Sequence, residues 1–220
     1  MRLSAPYILL LLAAVLFMAA LIEVGVITIA FDRLGISPHS GLLLLLASLV
    51  GSGINIPVYL RSWKTPERDL PTPLESEVWG FPRRWSPGST LIAVNVGGCL
   101  IPVGVCLSML LHHTLGIGAV LTSVAVVTAV SYLFSRPVAG RGIAIPVFVA
   151  PLVSAVVASL LDPEHSAPLA YIGGTMGVLI GADLLRLPDI DRLHTPIASI
   201  GGAGTFDGIF FTGIIAALLA

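Results

Sequence analysis

LGIGAVLTSVAVVTAVSYLF, residues 115–134, runs for 20 positions without a charged side chain. As a helix it rises ~30 Å, the thickness of a bilayer's hydrocarbon core. The run ends on Arg136 and Arg141, and comparable apolar stretches lie on both sides of it. The composition agrees with this reading. Of 220 residues, 56% are hydrophobic and only 10% charged, with mean hydropathy +1.00, whereas soluble domains carry about 25% charged residues. The net charge of −1 argues against a nucleic-acid partner.

Working outward, apolar runs at 6–30, 40–60, 89–111, 115–134, 142–161, 168–186 and 198–219 predict about seven transmembrane helices. The fold expected is an all-α polytopic membrane bundle forming one domain over 1–220. Arg2 before Tyr7–Ile22 has the look of a signal peptide, but the run continues past Glu23 to Ala30 and reads as a retained helix. The segment 61–88 carries Trp63, Trp79 and Trp85 among five prolines, which predicts a cytoplasmic loop lying on the headgroups.

Charge sets the expected orientation. Arg2, Arg61, Lys64, Arg68, Arg83, Arg84, Arg136, Arg141, Arg186 and Arg192 fall on one side of this arrangement, and Arg33 alone on the other. The positive-inside rule then predicts a cell-membrane protein with its N-terminus in the cytoplasm and its C-terminus outside. Three Ile-Pro-Val triplets, at 56–58, 101–103 and 145–147, sit in non-equivalent spans and read as coincidence. Cys99 and Cys106 are ~10 Å apart on one helix, too far to pair with each other. His39, His112, His113, His165 and His194 read as loop residues, and no metal or other cofactor is implied.

Acids inside a membrane helix cost ~2.5–3.5 kcal/mol on insertion scales, so each is a functional candidate. Glu23 lies ~26 Å along the first span and can snorkel to the headgroups. Asp183 and Asp207 are the sharper pair. They lie near the cytoplasmic ends of two consecutive antiparallel spans joined by the short loop 187–197. Gly201, Gly202 and Gly204 disfavour regular helix there, and Thr205 is a good N-cap that puts Asp207 in the first turn, where the helix dipole favours a negative charge. Unwound backbone at membrane depth survives beside protein or water, so both carboxylates are expected at one water-accessible level. Asn55 and Asn95 belong to the same level and suit hydrogen bonding to a carboxylate or freed backbone. Gly204, Thr205 and Gly208, with these asparagines, are the candidate substrate-binding residues. Gly173, Gly177 and Gly181 form two GxxxG steps, and Gly204 with Gly208 another, marking close helix packing.

The stretch Gly201-Gly-Ala-Gly-Thr-Phe-Asp-Gly-Ile-Phe-Phe-Thr-Gly213 resembles the hallmark of a bacterial and archaeal membrane family of unknown function, family 1614. Gly181-Ala-Asp-Leu-Leu185, Asn95-Val-Gly-Gly98 and Ile54-Asn-Ile-Pro57 are similar to its other motifs, so the likeness covers essentially the whole chain. It implies a family without an activity. Over about fifty residues the chain also resembles presenilin- and prepilin-type intramembrane aspartyl proteases, which place one acid on each of two helices. That likeness implies catalytic roles for Asp183 and Asp207. The sequence departs from the proteases in reading Gly204-Thr-Phe-Asp207 where they have GxGD, and in lacking a Pro-Ala-Leu motif.

Three functions are compatible with these residues. In a hydrolase acting on transmembrane peptides, two close carboxylates share a proton and activate water. In an ion or proton-coupled transporter, the same acids bind the ion beside broken helices. In a structural or assembly subunit, they pair with a partner's helices.

Overall fold

The computed structural model describes residues 25–62, 89–138, 142–193, 195, 197–202 and 208–220. Helix α1 (Gly25–Arg33) meets α2 (Pro38–Gly51) at a bend of 111°. Gly35 turns this corner with φ +69°, and Ser37 caps α2 by accepting from the Ser40 N–H. Strand β1 (Asn55–Ser62) and strand β2 (Ser89–Asn95) follow. From β2 the chain passes directly into α3 (Val96–His112), whose first turn, Val96–Leu100, is π-helical.

Next come α4 (Ile117–Phe134), the short strands β3 (Arg136–Val138) and β4 (Gly142–Ala144), and α5 (Val149–Leu161). Helix α6 (Ser166–Val178) continues through a π turn at Leu179–Asp183 and a 3-10 segment at Leu184–Arg192. Strand β5 (Ile197–Ile200) and helix α7 (Gly208–Leu219) complete the described chain.

The expected seven-span all-α bundle is therefore corrected. Two helices, Ile117–Phe134 and Ser166–Asp191, are long and apolar enough to cross a membrane, or three if the bent α1–α2 pair counts as one span. The runs 40–60, 89–111, 142–161 and 198–219 each divide into a strand and a shorter helix. The cause is a property of apolar runs: a stretch rich in Ile and Val suits a buried strand as well as a helix, and hydropathy does not separate them. The interfacial loop predicted over 61–88 begins instead as the end of β1, and its tryptophans at 63, 79 and 85 lie outside the described residues.

Strands β1 and β2 are antiparallel, with Asn55 opposite Asn95, and β5 lies parallel to β2, with Ile200 opposite Val94. β3 and β4 form a separate antiparallel pair. The helices pack around α6, in which every residue from Ala167 to Thr175 is buried. Its glycines make this fit. A Cβ on Gly177 would come within 2.5 Å of Val127 Cβ on α4, and one on Gly174 would reach 3.3 Å from Thr212 on α7. Gly181 likewise lies against the α4 backbone at Thr128 and against Ser131.

Arginines tie down the chain at both ends of the bundle. At one end Arg61 pairs with Asp191 at 2.8 Å. At the same end Arg186 donates to the Tyr132 and Ser135 carbonyls at the close of α4, and to Asp189. At the other, Arg33 donates to the Leu218 carbonyl of α7. The outer faces of the helices are apolar, with Leu111 73%, Leu133 72% and Leu160 77% exposed.

Candidate functional site

The three-stranded sheet brings the start of β1 and the ends of β2 and β5 to one place, because β1 opposes β2 while β5 runs with it. Asn95, fully buried, organises that corner. Its amide Nδ2 donates to the Ser52 carbonyl at 2.7 Å and to Asn55 Oδ1 at 3.1 Å. Its Oδ1 accepts from the Gly98 N–H at 2.7 Å and so caps α3. The Ser199 hydroxyl of β5 donates to the same Asn55 Oδ1. Three strands are thus tied together by two amide side chains and a hydroxyl.

Close backbone approach brings the glycine turn after β5 onto the start of α3. A Cβ on Gly201 would fall 2.7 Å from Cys99 Cβ and from the Gly98 carbonyl carbon, so only glycine fits. Gly201 and Gly202 also take φ +84° and +91°, a region that costs other residues energy. In this position the Gly201 N–H points at the half-buried Asp183 and donates to Oδ2 at 2.7 Å. Asp183 closes the π turn of α6, and Pro188 follows in the 3-10 segment. Its side chain faces β5, whereas Gly173, Gly177 and Gly181 of the same helix face α4.

The structure therefore gathers Asp183, Asn55 and Asn95 around the sheet corner, the asparagines bonded to each other and Asp183 linked through Gly201. Gly208 is the first described residue of α7. Gly204, Thr205 and Asp207 lie outside the described residues, as do Glu23 and His194. Ser52, Ser199 and the Gly201 N–H were not among the residues expected from sequence. The Gly201-Gly202 pair was visible as a helix breaker, but a serine in an apolar strand carries no signal of its partner. Among the described residues, no group of three or more His, Cys, Asp or Glu is arranged to hold a metal ion.

Chemically, the corner offers a carboxylate acceptor, a glycine backbone that approaches closely, and the N-terminus of α3, whose dipole is positive. A model of the family described as "Protein of unknown function (DUF1614)" matches residues 49–219. No curated protein and no solved structure matches the chain.

Proposed function

Given that the chain belongs to the DUF1614 family, whose description carries no activity, we propose its function from its own residues. It is a membrane-embedded hydrolase in which Asp183 and Asp207 act together on peptide bonds of transmembrane substrates. One observation carries this reading: the hydrogen bond from Gly201 to Asp183 ties the segment leading to Asp207 onto the first acid. Five residues lie between Gly201 and Asp207, so the six steps of chain span at most ~22 Å.

In this mechanism the two carboxylates share one proton, because like charges held close do not both ionise. The ionised acid takes a proton from water as the water attacks the scissile carbonyl, and the protonated acid donates to the carbonyl oxygen. The gem-diol then collapses: the first acid passes its proton to the leaving amine as the C–N bond breaks, and the second recovers a proton from the diol hydroxyl, restoring the shared proton. The bilayer location is supported by the apolar outer faces and by the two helices long enough to cross. The positive-inside rule turns the end bearing Arg61 and Arg186 to the cytoplasm and the Leu218 end outside.

The test is cleavage of membrane-embedded peptides by the purified protein, with Asp183→Ala and Asp207→Ala alongside. Loss of cleavage in both variants is expected; cleavage unchanged in either removes the mechanism. Alkaline carbonate extraction checks the location, and release of the protein into the supernatant would count against it.

A second reading, ion or proton-coupled transport, is favoured by a separate observation. The parallel strands β2 and β5 each precede a helix, α3 directly and α7 after a glycine-rich segment, and α3 begins at the buried Asn95. Transporter ion sites typically use the ends of discontinuous helices, and a helix start beside an acid offers comparable groups. Proton or cation flux in proteoliposomes that requires Asp183, without peptide cleavage, would select this reading.

A further inference from the structure

At the Arg61 end of the bundle, the chain itself holds two of the arginines. Arg61 pairs with Asp191. All three guanidinium nitrogens of Arg186 donate within the protein, to Ser135, Tyr132 and Asp189. Arg136 differs from both. It is exposed, and it has no hydrogen bond, ion pair or ring contact among the described residues.

Arg136 opens β3, two residues after α4 ends at Phe134, and lies opposite Ala144 of β4. Successive strand residues face opposite ways. Ile143 packs inward against Ile190 and Leu193, whereas its neighbour Ala144 and the paired Arg136 are exposed. Apolar side chains flank the hairpin on both sides: Leu133 and Phe134 before it, and Val147 and Phe148 at the turn into α5, are all exposed. The exposed apolar side chains continue along α4 to Leu121, on a helix long enough to cross a bilayer. That continuity fits lipid better than a protein partner confined to the hairpin.

We propose that Arg136, with Phe134, Val147 and Phe148 around it, binds the headgroup of an anionic phospholipid. The apolar side chains enter the acyl region, and the arginine stem lies along them while its head reaches the phosphate. A guanidinium offers two parallel donors to phosphate oxygens. The cation of a zwitterionic headgroup repels it, so a net-anionic lipid is preferred, by about fivefold for one arginine near the surface. The inference rests on the bilayer location proposed above and is independent of the chemistry of Asp183 and Asp207.

Quenching by brominated lipids tests it. The native tryptophans are at 63, 79 and 85. Trp63→Phe, Trp79→Phe and Trp85→Phe combined with Phe148→Trp leave one indole, at the entry to α5. In vesicles, acyl-brominated phosphatidylglycerol is expected to displace phosphatidylcholine around this reporter with about fivefold preference. Arg136→Gln should abolish the preference and Arg136→Lys should keep most of it. Equal quenching by brominated phosphatidylglycerol and phosphatidylcholine overturns the proposal alone, as does a preference unchanged in Arg136→Gln. Quenching by neither overturns the bilayer location with it. Where the reporter chain fails to fold, the native chain decides: phosphatidylglycerol added to phosphatidylcholine nanodiscs should raise its thermal midpoint, and raise that of Arg136→Gln less. Equal rises overturn the proposal.

Discussion

Gly201 donates its backbone N–H to Asp183 while its Cα rests against the Gly98–Cys99 backbone of α3. One glycine thereby joins the end of α6, the end of β5 and the start of α3. The fit depends on both a missing side chain and a positive φ, so a substitution there is opposed twice.

Gly201→Ala is expected to destabilise the protein by about 2–4 kcal/mol, combining left-handed strain with overpacking against Cys99. Unfolding in detergent micelles, followed by circular dichroism, measures this. A loss well under 1 kcal/mol would mean that the contact relaxes at little cost.

Asp183→Ala leaves the Gly201 N–H without its acceptor and should cost about 1–3 kcal/mol. Asp183→Asn keeps an acceptor oxygen of the same shape and is expected to retain most of that stability while losing the charge. Both variants should lack activity. Comparing the two separates folding from chemistry: an active Asn variant would exclude a proton-sharing role.

Removal of the Asn95 side chain deletes two donated bonds and the cap of α3. Asn95→Ala is expected to cost at least ~2 kcal/mol, since a lost N-cap alone costs ~1 and buried partners are left unpaired. Asn55→Ala removes fewer bonds from a half-buried position and should cost less. Equal losses in the two variants would contradict this ordering.

Glycines of the helices should divide by what faces them. Gly177→Ala drives a methyl into Val127 and is expected to cost about 1–3 kcal/mol. Gly104, exposed on α3, has nothing within 4 Å of a Cβ. Gly104→Ala should therefore stabilise by about 0.5–1 kcal/mol through helix propensity. Thermal midpoints moving in the same direction would refute the packing of α6 on α4.

Arg186 holds the end of α4 through the Tyr132 and Ser135 carbonyls and stacks 4.2 Å above the Tyr132 ring. Lysine lacks the planar fork. Arg186→Lys should therefore loosen the 3-10 segment, read as faster amide exchange at Leu184–Arg192 with little change at Ile117–Val127.

Much of the arrangement was legible in the chain because it rests on local chemistry. Long uncharged runs, the glycine spacing of α6, and the acids at 23, 183 and 207 within apolar runs are all properties of composition and order. The secondary structure of the runs was not legible. Asn55–Ser62 and Ser89–Asn95 are strands because each supplies the other's backbone partners, and β5 joins them from more than a hundred residues away. A run's own hydropathy is the same whether its amides bond within the segment or across to another. The meeting of Asn55, Asn95 and Ser199, and the aim of the Gly201 N–H at Asp183, likewise arise from pairing distant segments. Sequence order set which residues are costly to bury; only the tertiary structure, by satisfying their hydrogen bonds across the chain, decided where they lie.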